Sequence, residues 1–204
     1  MIEFYTAQTF NGHRIAIMLE ETGLDYQLNA LDLKQGEHRR PDFLALNPGG
    51  KIPVIIDTEG PDGEPFILSQ SAAILLYLAE KTGQLLPESG IERYRVLEWL
   101  SFHATDIAPS IQSVYYLSYR APEPQPAAAG LLRQRHLERY REFDQRLADQ
   151  EFLSASGYSI ADIAALPAVV FEHTWVLERF AHIKRWHDRL RLRPAVQRGL
   201  AIPG

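Results

Sequence analysis

The sequence predicts an α/β domain over residues 1–82, a linker over 83–90 and an all-α domain over 91–204. Three observations carry that expectation. Residues 1–82 alternate short strand-like runs with helical stripes in the order β-α-β-α-β-β-α. The linker concentrates turn residues, with Gly83, Pro87, Ser89 and Gly90. Beyond it, the chain reads as helical.

Ile2–Tyr5 read as a short strand, after which Asn11-Gly12 open an amphipathic helix. Ile15, Met18, Leu19 and Thr22 share one side of it, and Gly23 ends it. A second strand follows near Tyr26–Leu31. Residues 34–48 are polar, with one helical turn expected at Asp42–Leu46. Strands are expected at Val54–Asp57 and Pro65–Leu68, split by the turn-dense Glu59-Gly60-Pro61-Asp62-Gly63. A helix from Ser71 to Lys81 buries Ile74, Leu75, Leu78 and Ala79. The later helices are expected near 91–118, 128–149, 159–172 and 183–192, with the proline-rich Ala121–Pro126 between the first two. Ser159-Ile160-Ala161-Asp162 fits a capping box, with Asp in place of the usual Glu.

Composition narrows the function classes. The chain has 204 residues, 46% hydrophobic and 23% charged, as in soluble globular proteins. A net charge of −5 argues against nucleic acid and anionic membrane as partners. No apolar run approaches a membrane span. The start, Met1-Ile2-Glu3-Phe4-Tyr5, lacks a basic n-region and a long apolar h-region, so the cytoplasm is the expected location. There is no cysteine, which excludes disulfides, thiolate metal sites and an enzyme cysteine nucleophile. Thiol chemistry here must use a thiol carried by the ligand. The seven histidines show no metal-ligand spacing, so no metal is expected.

Two segments carry chemistry. In Asn47-Pro48-Gly49-Gly50-Lys51-Ile52-Pro53-Val54, a turn runs into an apolar strand with proline at its threshold. X-Pro is the bond where cis is cheap. A cis Ile52-Pro53 bond turns the Ile52 N–H and C=O outward to pair with an extended ligand, whereas a trans bond makes this an ordinary loop. In Ser69-Gln70-Ser71-Ala72-Ala73-Ile74, small polar residues precede a helix start. Unpaired first-turn N–H groups and the positive dipole end there suit a carboxylate or phosphate, with Ser71 and Gln70 as added donors. A plain N-cap serine is the other reading.

Together these segments resemble the cytosolic glutathione S-transferase family. Lys51-Ile52-Pro53-Val54 resembles its cis-proline motif, Gln70-Ser71 its Glu/Gln-Ser pair, and Ser159-Ile160-Ala161-Asp162 its second-domain capping box. The resemblance covers nearly the whole chain. It implies a thioredoxin-like first domain, glutathione as co-substrate and a homodimer. Ala7-Gln8-Thr9-Phe10-Asn11-Gly12-His13-Arg14 looks most like the bacterial nu class and the yeast nitrogen-regulator-like proteins. The resemblance places Thr9 and Asn11 beside the glutathione sulfur and implies glutathione-dependent disulfide reduction, with conjugation to an electrophilic carbon as the other branch. A non-catalytic glutathione- or ligand-binding regulator or carrier of the same fold is the rival expectation.

The physical reading is compatible. A free thiol is about 3% thiolate at pH 7, and lowering its pKa by two units needs about 2.7 kcal/mol of preferential thiolate stabilisation. Thr9 offers a hydroxyl donor, Asn11 an NH₂ pair, and the helix near Gly12 its N–H groups and dipole. Alternatively, Thr9 is a loop residue and Asn11 the helix N-cap. Tyr5, at the end of the first strand, is the rival activator. The resemblance further implies that His38 contacts the glycine end of glutathione, that Lys51 reaches the same carboxylate, and that Ile52 and Pro53 form the backbone clamp. It places Tyr115 and Tyr119 at a second-substrate pocket, where core packing is the competing reading, and offers Arg133 as a further ligand contact.

Overall fold

The computed structural model describes residues 1–204 apart from the side chain of His173. It forms two compact units: Met1–Glu88 with Leu190–Gly204, and Ser89–Arg189.

In the first unit, β1 (Ile2–Thr6), β2 (Tyr26–Ala30), β3 (Val54–Asp57) and β4 (Phe66–Ser69) form one sheet in the order β2-β1-β3-β4. The β1–β2 pair is parallel, and β1–β3 and β3–β4 are antiparallel. A parallel pair needs a crossover, which α1 (Phe10–Thr22) supplies. Along β1, Ile2, Phe4 and Thr6 are buried while Glu3 and Tyr5 face the other side. Ile15, Met18 and Leu19 of α1 and Ile74, Leu75 and Leu78 of α3 (Ser71–Thr82) are fully buried and fill the core. A 3₁₀ turn at Glu37–Arg39 precedes the short α2 (Pro41–Leu46).

The second unit is helical: α4 (Gly90–Phe102), α5 (Ala108–Tyr115), α6 (Pro126–Arg146), α7 (Ile160–Phe171), α8 (His173–Leu177) and α9 (Ala181–Arg191). The helix expected near 91–118 is interrupted by π-helical turns at His103–Ile107 and Tyr116–Arg120. Pro109 has no N–H to continue an α ladder, and the first widened turn lies just before it. Asp162 is fully buried and ties the unit together. Its carboxylate accepts from the Ser159 N–H at 3.0 Å, the Leu153 N–H at 3.0 Å and the Trp186 indole at 2.8 Å. The expected capping box is present at the start of α7.

The end of the chain departs from expectation. Residues 190–204, expected in the helical domain, pack with the first unit through α10 (Pro194–Leu200) against α1. The cause is local. A Cβ on Gly199 would lie 2.6 Å from the Ile17 Cα, so only glycine permits this approach. Arg193 then grips the Glu21 carboxylate through Nε at 2.7 Å and Nη2 at 2.8 Å, a bidentate pair.

Candidate functional site

The sheet register assembles the site. Val54 pairs with Tyr5 on one side and Ser69 on the other. The residues just before β3 therefore stand between the chain leaving β1, toward Thr9, and the chain leaving β4, toward Ser71. The Ile52-Pro53 bond between these two exits is cis. Pro53 is buried and Ile52 half-buried, and no hydrogen bond involves the Ile52 N–H or C=O among the described residues. This leaves one donor and one acceptor to pair with an extended ligand.

At the β4 exit, Gln70 takes φ 73° and ψ 109°, a sparsely populated conformation for a residue with a side chain. It is the N-cap of α3, which corrects the reading of Ser71 as a plain N-cap serine: Ser71 is the first helical residue. The Gln70 side chain makes no cap bond and is exposed. The first-turn N–H groups of α3 thus face outward with the positive end of the dipole.

At the β1 exit, Thr9 and not Asn11 is the N-cap of α1. The Thr9 Oγ1 accepts from the Gly12 N–H at 3.1 Å. Gly12 is obligatory here, because a Cβ would fall 2.3 Å from the Thr6 Oγ1 and 2.5 Å from the Ala7 carbonyl. Asn11 therefore sits inside the first turn and is half-buried.

Arg14 joins the two exits. Its side chain is buried, and its Nη1 donates to the Asn11 Oδ1 at 2.5 Å and the Ser71 Oγ at 3.0 Å. Burial pushes its guanidinium down to about 9, so it stays charged at pH 7. Sequence reasoning left this residue without a role. The available signal was its spacing from Asn11, since residues three apart share a helix face.

Tyr5 does not join this cluster. Its hydroxyl donates to the Glu3 carboxylate at 3.0 Å on the other face of β1. Burial, followed by that bond, raises its pKa, which disfavours proton exchange near neutrality. His38 lies in the 3₁₀ turn, and its Nδ1 is shielded from solvent without a hydrogen-bond partner. The turn abuts Gly50: a Cβ there would lie 2.9 Å from the His38 carbonyl. Lys51, one residue on, is exposed.

In the helical unit, Tyr115, Tyr119 and Arg133 line one open pocket of about 500 Å³ with Phe171, Glu172 and Trp175. Tyr115 and Tyr119 are 44% and 73% exposed, which corrects the core-packing reading. Their ring centroids lie 5.5 Å apart. Glu172 is fixed at the pocket wall by the buried Tyr140 hydroxyl and His136 Nε2, each 2.9 Å from its Oε2. Among the described residues, no cluster of three or more His, Asp or Glu is placed to hold a metal ion, and no helix is long and apolar enough to cross a membrane.

Comparison with known proteins yields concordant matches. Residues 11–81 match the glutathione S-transferase N-terminal domain and residues 107–194 the glutathione S-transferase C-terminal domain. The disulfide-bond oxidoreductase YfcG of Escherichia coli is 39% identical over 98% of this chain and 94% of its own length. A glutathione transferase from Pseudomonas putida, solved with one glutathione disulfide per subunit, is 33% identical with a TM-score of 0.93, covering 100% of this chain and 92% of its own. The glutathione transferase URE2P6 of Phanerochaete chrysosporium, in complex with oxidised glutathione, is 31% identical with a TM-score of 0.88, covering 97% of this chain and 94% of its own. With both domain matches, full-length relatives and a cis-proline clamp on the same sheet, the chain belongs to the glutathione S-transferase family.

Proposed function

We propose that this glutathione-dependent enzyme is a disulfide reductase of the nu-class type, in which Thr9 and Asn11 hold the glutathione sulfur as thiolate. One observation carries the reading. In a chain without cysteine, the Thr9, Asn11 and Ser71 side-chain oxygens each accept a hydrogen bond from a protein donor. Each side chain therefore turns a donor toward the ligand: the Thr9 and Ser71 hydroxyl hydrogens and the Asn11 NH₂. Such a site suits a ligand with a carboxylate at one end and a thiolate at the other. The relatives named above support the reductase branch, one as a disulfide-bond oxidoreductase and two as structures holding oxidised glutathione.

Ser71, Gln70 and the first-turn N–H groups of α3 take the γ-glutamyl carboxylate. The free N–H and C=O of Ile52, set by the cis Pro53 bond, pair with the peptide backbone. His38 and the Lys51 ammonium take the glycine end. The bound thiolate attacks one sulfur of a disulfide R–S–S–R′. A glutathionyl–S–R bond forms as the S–S bond breaks, and R′–S⁻ leaves and takes a proton. A second glutathione thiolate attacks the glutathione sulfur of the mixed disulfide and releases R–S⁻, so two glutathiones are oxidised per disulfide reduced. In the helical unit, the Tyr115 and Tyr119 ring faces suit an apolar electrophile or disulfide as second substrate, and the Arg133 cation suits a glutathione carboxylate. Membership of the glutathione S-transferase family supports a homodimer as part of this proposal.

Reduction of 2-hydroxyethyl disulfide compared with conjugation of an aryl halide tests the reading. Reductase turnover that exceeds conjugation is expected. Strong conjugation with no reductase turnover refutes it.

A further inference from the structure

We propose that Arg14 is a positioning residue that fixes the donor polarity of the glutathione site and couples its two ends. The inference rests on the assignment of Asn11 to the sulfur and Ser71 to the γ-glutamyl carboxylate.

The two ends of a primary amide differ only in whether they donate or accept. An Asn11 free to turn over presents its oxygen to the ligand as readily as its NH₂, and an oxygen facing a thiolate is repulsive. Arg14 removes that choice. Its guanidinium carries donors only, and its Nη1 lies 2.5 Å from the Asn11 Oδ1. Flipping Asn11 sets NH₂ against Nη1, donor against donor. The second hydrogen on the same Nη1 reaches the Ser71 Oγ at 3.0 Å. With a lone pair of that oxygen engaged, the Ser71 hydrogen is directed away from Arg14. One nitrogen thus sets the polarity of a side chain on α1 and another on α3.

The guanidinium is itself held. It is 4% exposed, and its Cζ sits 5.1 Å from the centre of the Phe10 ring. Thr9 provides an internal contrast, because its oxygen is engaged by the Gly12 N–H and needs no help from Arg14. Loss of Arg14 is therefore expected to disturb Asn11 and Ser71 and to spare Thr9. This gives a signature that a purely structural arginine lacks: the thiol titration, through Asn11, and the glutathione KM, through Ser71, move together in correctly folded protein.

The experiment compares wild type, Arg14→Lys, Arg14→Met, Asn11→Ala and the Arg14→Met/Asn11→Ala double variant. Folded fraction is measured by circular dichroism, glutathione binding by calorimetry, and disulfide reduction from pH 6 to 9. Arg14→Met is expected to raise the pH midpoint of kcat/KM by about one unit and the glutathione KM about tenfold. Arg14→Lys, which keeps the charge and one strong donor, recovers part of both. In the Asn11→Ala background, Arg14→Met moves the midpoint no further but still raises KM. A folded Arg14→Met with wild-type midpoint and KM overturns the proposal, as does a fully additive midpoint shift in the double variant. If Arg14→Met does not fold, Arg14→Lys decides, because one ammonium satisfies both acceptors less well: a moved midpoint or KM supports the proposal, and neither moving overturns it. Wild type that binds no glutathione at millimolar concentration removes the underlying assignment and this inference together. Wild type that binds and turns over beside an unchanged folded arginine variant overturns the inference alone.

Discussion

Ser71→Ala and Asn11→Ala are expected to separate binding from chemistry. Ser71 Oγ accepts from Arg14 at 3.0 Å, which leaves its hydrogen for the γ-glutamyl carboxylate. A hydrogen bond to a charged group contributes about 1.5–3 kcal/mol, equivalent to about a 10- to 150-fold change in affinity. The α3 N–H groups remain in Ser71→Ala, so the low end applies and the Kd for glutathione rises about tenfold. The carboxylate contact is the same in ground and transition states, so kcat at saturation stays within about twofold. Asn11→Ala removes a donor aimed at the sulfur. The thiol midpoint then rises by about one unit and kcat at pH 7 falls about threefold with the thiolate fraction, with Kd changed no more than about threefold. Calorimetry gives Kd, and initial rates of disulfide reduction from pH 6 to 9 give kcat and the midpoint. The reverse pattern, with Ser71→Ala lowering kcat and Asn11→Ala weakening binding, refutes the assignment.

Three further outcomes are expected. Burial raises the Asp162 carboxyl from 3.8 to about 6 against the pull of its donors, so the folded state binds this proton more tightly than the unfolded chain. Stability from this group is full below about pH 4 and falls by about 3 kcal/mol as pH rises through 6. Denaturant titrations of wild type and Asp162→Asn at pH 4 and 7 should show that change in their difference, and a pH-independent difference rejects it. Gly12→Ala drives a methyl group into the Thr6 Oγ1 and the Ala7 carbonyl and is expected to cost about 1–3 kcal/mol in urea melts, with reduced kcat/KM in what folds. Tyr5→Phe is expected to keep kcat within about twofold, since its proton is held by Glu3, and a hundredfold loss would restore tyrosine as the activator.

The strands and the proline at the threshold of β3 are legible in the sequence because short-range rules govern them, whereas the cis state of Ile52-Pro53 is left open by it. Val54–Asp57 was expected from an apolar run behind a proline and occurs with those bounds. The α1 start was misplaced because Asn11 ahead of Gly12 reads as a helix N-cap. In the structure Gly12 is needed for close packing on Thr6 and Ala7, and the cap falls to Thr9. Arg14 was not legible. An arginine in an amphipathic helix is expected to face water, and this one is buried and bonded to a serine 57 residues away in sequence. The same limit applies to the tail, whose place on α1 depends on the absence of a side chain at Gly199 facing Ile17. Periodicity reports which face is buried, not which element covers it.

The donor-only character of the site has a consequence for protonation. A neutral thiol brings a hydrogen that needs an acceptor, but the Asn11 Oδ1 is held by Arg14 and the Thr9 oxygen is already engaged by Gly12. The site therefore favours the deprotonated sulfur, by donating to the thiolate while one lone pair of each neighbouring oxygen is already engaged by a protein donor. If the bound thiol falls from about 8.5 to about 6.5, its thiolate fraction at pH 7 rises from about 3% to about 75%, and binding releases about 0.7 proton. Calorimetry of glutathione binding at pH 7, repeated in buffers of different ionisation enthalpy, measures that number directly. Release should fall toward about 0.2 in Asn11→Ala, whose midpoint is expected one unit higher, and stay near the wild-type value in Ser71→Ala. Binding without proton release in wild type would mean that the thiol enters protonated, and the Thr9 and Asn11 donors would then have no part in forming the nucleophile.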